Sequence, residues 1–306
     1  MNKILVLGDV MLDVFTYGES NRISPEAPVP VVHSTALSFF GGGASNLALN
    51  LASLGSEVTV LAASSDDEDG RKLLRLCEHP NLKVVNLLVG GTTTKNRILV
   101  NNHHHIRIDT DYILNASEAE MYKEKAKEHI TRGGILVFSD YAKGTNLHFP
   151  EIVKMAHSFE NTIFVDPKSK DWEMYRFANF LTPNLKEIEE QIGPWRNVSE
   201  LVGLSRKILT QYELEGLIIT RGENGVIAIT QAGEVLDVQG IPTQVSEVSG
   251  AGDTFLACFV NEYLRSNNLL ESIEYANIEA SRSVGFPGIT IANSLQKIQT
   301  GAGIVK

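Results

Sequence analysis

Cysteine is almost absent from this chain. The 306 residues include two, Cys77 and Cys258, far apart and outside any C-x-x-C spacing. That excludes a disulfide framework and a thiolate zinc site. A chain this long buries roughly three-quarters of its unfolded surface and needs neither staple. Basic charge is also in deficit: 27 Lys and Arg stand against 37 Asp and Glu, a net charge of −10. Without a basic face the chain does not read as a nucleic-acid or anionic-membrane binder, although a few local cations can still hold a small anionic substrate. Long apolar runs are missing. Ile4–Leu7 precedes Gly8 and Asp9 and is too short for a signal-peptide core, and nothing approaches the about 18 residues of a membrane span. The expectation is a cytoplasmic protein with no membrane or nucleic-acid partner.

What is present is alternation. Continuous apolar runs at Ile4–Gly8, Glu57–Ala63, Ile135–Ser139, Thr162–Asp166, Gly216–Thr220 and Val226–Thr230 read as buried strands. Between and after them, helical patterns cover Ala44–Leu54, Ser117–Thr131, Phe149–Ser158, Val198–Tyr212, Gly252–Arg265 and Leu270–Val284. Leu47, Leu51 and Leu54 make one stripe on the first helix, and Ser117 with Glu120 reads as a capping box. Such alternation predicts an α/β fold with a mostly parallel sheet covered on both faces, binding ligand at the carboxyl ends of its strands. Two stretches break the pattern, residues 14–33 and 92–110, with β-type alternation and polar faces. They read as a small β lid on a single domain spanning 1–306, the second stretch as a hairpin turning near Asn101–His104.

Two glycine clusters carry the chemistry. Glu247-Val248-Ser249-Gly250-Ala251-Gly252-Asp253-Thr254 leads directly into an apolar helix. The glycines allow close backbone approach, and the helix start offers free N–H groups and a positive dipole end to an anion. An Asp beside an anion site makes sense if Asp253 takes a proton from an alcohol that attacks a phosphate; the competing reading is an ordinary Gly-rich helix entry. The second cluster is Gly41-Gly42-Gly43-Ala44-Ser45-Asn46, where Asn46 could offer its amide to a sugar hydroxyl. Neither cluster matches G-x-G-x-x-G or the Walker pattern. His103-His104-His105 would put two imidazoles on one face of a strand, but no further ligand is marked, and the run reads as an exposed hairpin tip. Trp172 and Trp195 read as packing residues.

Together the clusters resemble the PfkB (ribokinase-like) carbohydrate kinases across essentially the whole chain. Asn184-Leu185-Lys186-Glu187 is similar to that family's N-x-x-E element, Thr220-Arg221-Gly222-Glu223-Asn224-Gly225 to its T-x-G-x-x-G turn, and Asn277 stands where the family has a residue near the adenine. Further stretches resemble the D-glycero-β-D-manno-heptose-7-phosphate 1-kinases of lipopolysaccharide-core synthesis. They are Gly8-Asp9-Val10-Met11-Leu12-Asp13, Arg22-Ile23-Ser24-Pro25-Glu26-Ala27-Pro28-Val29-Pro30, Thr92-Thr93-Thr94-Lys95, Arg107-Ile108-Asp109, Ser139-Asp140-Tyr141-Ala142-Lys143-Gly144 and Val165-Asp166-Pro167-Lys168. Many such kinases are fused to an adenylyltransferase; no H-x-G-H signature occurs here, so the expectation is the kinase alone.

The resemblance implies a ribokinase-like three-layer sandwich, ATP as co-substrate and Mg²⁺ as its ion. It implies Asp253 as base, with Gly250, Ala251 and Gly252 as the anion hole. Asp13, Gly42, Gly43 and Asn46 would hold the sugar. Arg22, Lys95 and Arg107, with Arg97 and Lys143 as further candidates, would hold the substrate's own phosphate. Lys168, Asn184, Thr220, Gly222, Gly225 and Asn277 would line the nucleotide, and Asn184 and Glu187 would meet Mg²⁺ largely through water. Two departures stand out. Glu247 replaces the family's Asp at a position that shapes the anion hole and, in some members, a monovalent-cation site, which leaves K⁺ open. Ile289-Thr290-Ile291-Ala292 departs from the usual small residues. The lid implies a homodimer. The alternatives are a kinase for a pentose, ketohexose or hexose phosphate, and a catalytically silent sugar-binding regulator.

Overall fold

The structure, a computed structural model, describes residues 3–101 and 103–292. In chain order the elements are β1 (Lys3–Gly8), β2 (Val10–Ile23), β3 (Pro30–Gly43), α1 (Ala44–Ser53), β4 (Glu57–Ser64), α2 (Glu68–Leu76), β5 (Leu82–Leu88), β6 (Thr94–Val100), β7 (His103–Thr110), α3 (Ala116–His129), β8 (Ile135–Ser139) and α4 (Phe149–Ser158). There follow β9 (Thr162–Asp166), β10 (Phe180–Leu181), α5 (Leu185–Ile192), α6 (Val198–Gln211), β11 (Gly216–Thr220), β12 (Val226–Thr230), β13 (Val235–Val238), α7 (Ala251–Ser266) and α8 (Leu269–Ser283).

Strand alternation builds three layers. In β1, Ile4 and Val6 enter one apolar cluster with residues of α1, α7 and α8, while Leu5 and Leu7 enter a second with residues of α3, α4 and α6. Both faces of the strand are therefore buried, which is why it reads as a continuous apolar run. The nine strands lie in the order β13-β12-β11-β10-β9-β8-β1-β4-β5. Pairing is parallel except at the β11–β12 and β12–β13 edge. Trp172 is buried and Trp195 packs at the edge of the same core. Among the described residues no helix is long and apolar enough to cross a membrane.

A separate four-stranded sheet, β3-β2-β6-β7, is the expected lid, but it is larger than the sequence suggests. β2 begins one residue after β1, at Val10, and β3 runs into the glycines, so Gly41–Gly43 end a strand that leads straight into α1. The start of the third helix also differs. Asn115, not Ser117, is the cap: its side chain accepts from Ser117 N and Glu118 N, and the Glu118 carboxylate accepts from Asn115 N. An Asn with Glu three residues on satisfies two orphan donors at once, which Ser117 and Glu120 do not do here. Helix α7 begins at Ala251, one residue before the expected start, with Gly250 as cap.

Candidate active site

The parallel strands deliver acids to one edge. Asp9 follows β1, Asp140 follows β8, and Asp166 ends β9. Asp9 accepts from Thr145 Oγ1 (2.6 Å), Tyr141 N (2.8 Å) and Lys143 N (3.1 Å). Burial pushes its carboxyl up to about 6 against those bonds. Asp140 accepts from Ala142 N (2.7 Å), Ser169 N (3.2 Å) and the Tyr175 hydroxyl. These two carboxylates shape the loop after β8 and fix Tyr141. Sequence reading quoted all three residues within motifs without giving them a task.

Tyr141 stands between Asp253 and the lid. Its hydroxyl lies 3.5 Å from Asp253 Oδ1, and its ring lies under Lys95 Nζ at 4.9 Å. Asp253 is buried in the first turn of α7, and Asn46 Nδ2 donates to its Oδ2 at 3.0 Å. Asn46 is itself held, its Oδ1 accepting from Asn50 Nδ2 at 3.0 Å. Burial, assisted by the Asp13 charge and opposed by the Asn46 bond, pushes Asp253 up to about 7. A carboxylate with that proton affinity suits a general base near neutral pH.

Close approach explains two glycines. Gly250 has φ 81°, and a Cβ there would stand 2.7 Å from Asn46 Nδ2. A Cβ on Gly42 would overlap the Asp13 carboxylate. Gly43 caps α1, so both clusters bring helix starts to the same edge. Of the expected anion-hole donors, Ala251 N turns to Val248 O at 3.3 Å, while Gly250 and Gly252 line the cavity.

Two cavities meet at the start of α7. The first, of about 600 Å³, is walled by Tyr141, Asp166, Lys168, Asn184, Glu187, Thr220, Gly222, Gly250 and Gly252. The second, of about 490 Å³, is the more apolar, with Ile241, Pro242, Val245, Gly225 and Asn277 in its wall. Thr220, Gly222, Val248, Gly252 and Phe255 border both. Asn277 Nδ2 is engaged with Gln239 O (2.9 Å). Asn184 and Glu187 form a capping box at the start of α5, and Glu187 Oε1 also meets Lys168 Nζ at 3.1 Å. Asp166 is held well above the carboxylate range, first by burial and then by the charges of Glu187 and Asp253.

The lid turns a charged face to this edge. Cross-strand register aligns Asp13 with Lys95 and Asp109, and Phe15 with Arg97 and Arg107. The Arg97 guanidinium and the Asp13 carboxylate form a buried pair. Arg97 thus neutralises Asp13 instead of waiting free for a phosphate. Arg107 is bridged twice to Asp109, at 2.8 and 2.9 Å, and Lys143 meets Asp111 at 2.6 Å. Burial lowers the pKa of Lys95. Arg22 is not brought here within one copy. It lies nine residues beyond Asp13 on the same strand, roughly 30 Å away at the rise of an extended chain.

Comparison with known proteins agrees with this arrangement. Residues 1–295 match the pfkB family carbohydrate kinase. The chain is 33% identical over 311 residues to the bifunctional protein HldE of Escherichia fergusonii, covering 99% of this chain and 65% of that protein. It is 34% identical to HldE of Coxiella burnetii, covering 94% of this chain and 62% of that one. The chain therefore spans about two thirds of the length of these curated relatives. Among solved structures, phosphofructokinase-2 from Escherichia coli in complex with potassium superposes with a TM-score of 0.81 at 20% identity, covering 97% of this chain and 98% of that one. Arabidopsis thaliana ribokinase complexed with ribose and ATP gives 0.72 at 17%, covering 99% and 100%. The chain belongs to the PfkB family of carbohydrate kinases. It has the ribokinase-like fold and is an ATP-dependent phosphotransferase acting on a sugar alcohol group.

Proposed function

We propose that the chain phosphorylates the anomeric hydroxyl of D-glycero-β-D-manno-heptose 7-phosphate to give the 1,7-bisphosphate, for ADP-heptose and lipopolysaccharide-core synthesis. The observation that carries this reading is the pair of lid cations Lys95 and Arg107 beside the self-neutralised Arg97–Asp13 pair, with Lys95 over Tyr141 and so next to Asp253. An acidic chain that binds a dianion needs such a cluster placed against its global charge. The motifs quoted above and the identity with HldE along the chain support the same substrate.

In this reading Asp13, Gly42, Gly43 and Asn46 hold the sugar. Asp253 takes the proton of the attacking hydroxyl, and the start of α7 stabilises the transferring phosphoryl group. The more apolar cavity takes the adenine. Beside the first cavity the charges of Glu187 and Asp253 add to the cost of ionising Asp166, and polyphosphate would add to that negative charge. A divalent cation relieves it, so these residues fit Mg²⁺. Asn184 and Glu187 would hold it through water, and the ion would supply charge neutralisation between the terminal phosphates.

A homodimer through the lid accompanies this reading. The outer lid face exposes Leu37, Ile106 and Ile108, and Arg22 sits at its far end. Light scattering should give twice the 33.6 kDa of one chain. A monomer at micromolar concentration would remove the clasp from the reading. The substrate itself is tested by ATP turnover on a panel of heptose 7-phosphate, free heptose, ribose, fructose and fructose 6-phosphate. Equal rates on free and phosphorylated sugars would leave only a general sugar kinase, and no turnover on any would favour the silent regulator.

A further inference from the structure

The histidine run at the lid tip has no task in the reaction described so far. Strand register singles out its middle residue. β6 and β7 pair Arg97 with Arg107 and Ile98 with Ile106, then slip, so that Leu99 faces His104. Directly opposed residues point to the same side of a sheet. The slip therefore turns His104 to the face that carries Lys95 and Arg97. From there its Nε2 meets Glu247 Oε2 at 2.6 Å. The remainder of β7 is exposed, and the His104 side chain is itself 47% exposed, yet that of Glu247 is only 4% exposed.

Glu247 is tied on every side. Its Oε1 accepts from Ser249 N at 2.9 Å and from Ser249 Oγ at 2.8 Å. Its own N–H donates to Val284 O, just past the end of α8, at 3.1 Å. Gly250, which caps α7, follows Ser249 in the chain. Glu247 thus joins the lid tip and the loop that enters the anion hole through its carboxylate, and the end of α8 through its backbone. A buried carboxylate needs donors on both oxygens, and here Ser249 serves one while His104 serves the other.

This is the position at which a monovalent cation is implied for some relatives by resemblance. The residues do not fit one held mainly by this side chain, because protein partners already take about three of its four acceptor positions, Ser249 both on Oε1 and His104 one on Oε2. We propose that His104 stands in for such a cation. It is a positioning residue that, through Glu247 and Ser249, sets the anion-hole loop from the lid and frees turnover from any monovalent metal ion. A glutamate suits the task because its extra methylene carries the carboxylate farther toward the lid than an aspartate would.

The test uses the full chain in KCl, NaCl and tetramethylammonium chloride at equal ionic strength. Turnover is followed by ADP release with whichever sugar the panel identifies as substrate. ADP affinity is measured by calorimetry in the same salts, a readout that needs no sugar and so does not depend on the heptose assignment. Wild-type kcat and ADP affinity should agree in the three salts. His104→Ala should lower kcat by about tenfold, the scale of a lost hydrogen bond to a charged group, with KM for the sugar little changed. His104→Gln should recover part of that loss, because its amide can donate to the same oxygen. Glu247→Asp should lose turnover as His104→Ala does. Activity or ADP affinity that rises several-fold in KCl over tetramethylammonium, or undiminished kcat in both His104 variants, overturns the proposal.

Discussion

The strand-end edge and the lid hold charge in opposite ways. At the strand ends, Asp9 and Asp140 are buried and held largely by backbone N–H groups, and Asp253 is buried against an amide. On the lid, the Arg97–Asp13 and Arg107–Asp109 pairs hold charge against charge between side chains, buried at the first and half-exposed at the second. Those backbone donors cannot rearrange without reshaping the loops after β8 and β9, whereas side-chain pairs can exchange a partner for a ligand. The first region is therefore suited to fixed chemistry and the second to choosing what is phosphorylated.

The largest expected effect tests the fixed side. Asp253→Asn keeps the shape and the Asn46 neighbour but removes the base, and kcat should fall by about 10²–10⁴-fold. The wild-type profile should carry the signature of this carboxylate. Its pKa is raised to about 7, so it takes up a proton as pH falls through that value, and kcat/KM should fall on the acid side. Near wild-type turnover in the variant, or an acid limb below pH 5, would remove Asp253 from this role.

Next comes the selective side. Heptose 7-phosphate should exceed free heptose in kcat/KM by at least about 10²-fold, since two charge-assisted hydrogen bonds at roughly 1.5–3 kcal/mol each are lost together. Lys95→Ala should narrow that preference more than Arg107→Ala does. Arg107 already has Asp109, whereas Lys95 lies between the two pairs and over Tyr141. An equal effect of the two substitutions would mean that the Arg107–Asp109 bridge opens fully for substrate.

A smaller effect separates the two tasks of Glu187, which caps α5 and meets Lys168. Glu187→Gln keeps a cap but removes a charge beside Asp166. The Mg²⁺ concentration for half-maximal rate should rise by about 10-fold or more. An unchanged titration would leave Glu187 with the structural task alone.

The same contrast explains what was legible beforehand. Six strands of the main sheet and the Gly250–Asp253 turn are written in contiguous residues, so periodicity and motif found them. Lid pairings such as Asp13 with Arg97 and His104 with Glu247 join residues remote in sequence, and no local pattern marks them. Gly41–Gly43 gave no strand signal because glycine weakens a strand, yet β3 runs through them, paired with β2 as far as Val10. Arg22 looked close to the sugar because the lid was read as two short stretches; a continuous β2 carries it away. Strands β10 and β13 are too short for a pattern to register, β5 mixes Lys83 and Asn86 into its run, and α2 is mostly polar, its apolar residues confined to Leu73, Leu74 and Leu76.

The smallest effect is expected at Tyr141, where the two regions touch. Its hydroxyl reaches toward Asp253 at 3.5 Å, near the limit of a hydrogen bond, while its ring lies under Lys95. Tyr141→Phe removes the first contact and keeps the second. A donor to a carboxylate favours the ionised form, so losing it should raise the Asp253 pKa further. The acid limb of kcat/KM should then move to higher pH, with a loss of about twofold at neutral pH that disappears in alkali. KM for the phosphorylated sugar should hold, because Lys95 keeps its platform. Tyr141→Ala should behave differently: it removes the platform as well, and KM should rise together with the shift in the limb. A limb that stays in place in Tyr141→Phe would assign the residue wholly to the lid, and a KM that rises in Tyr141→Phe as much as in Tyr141→Ala would assign the sugar contact to its hydroxyl.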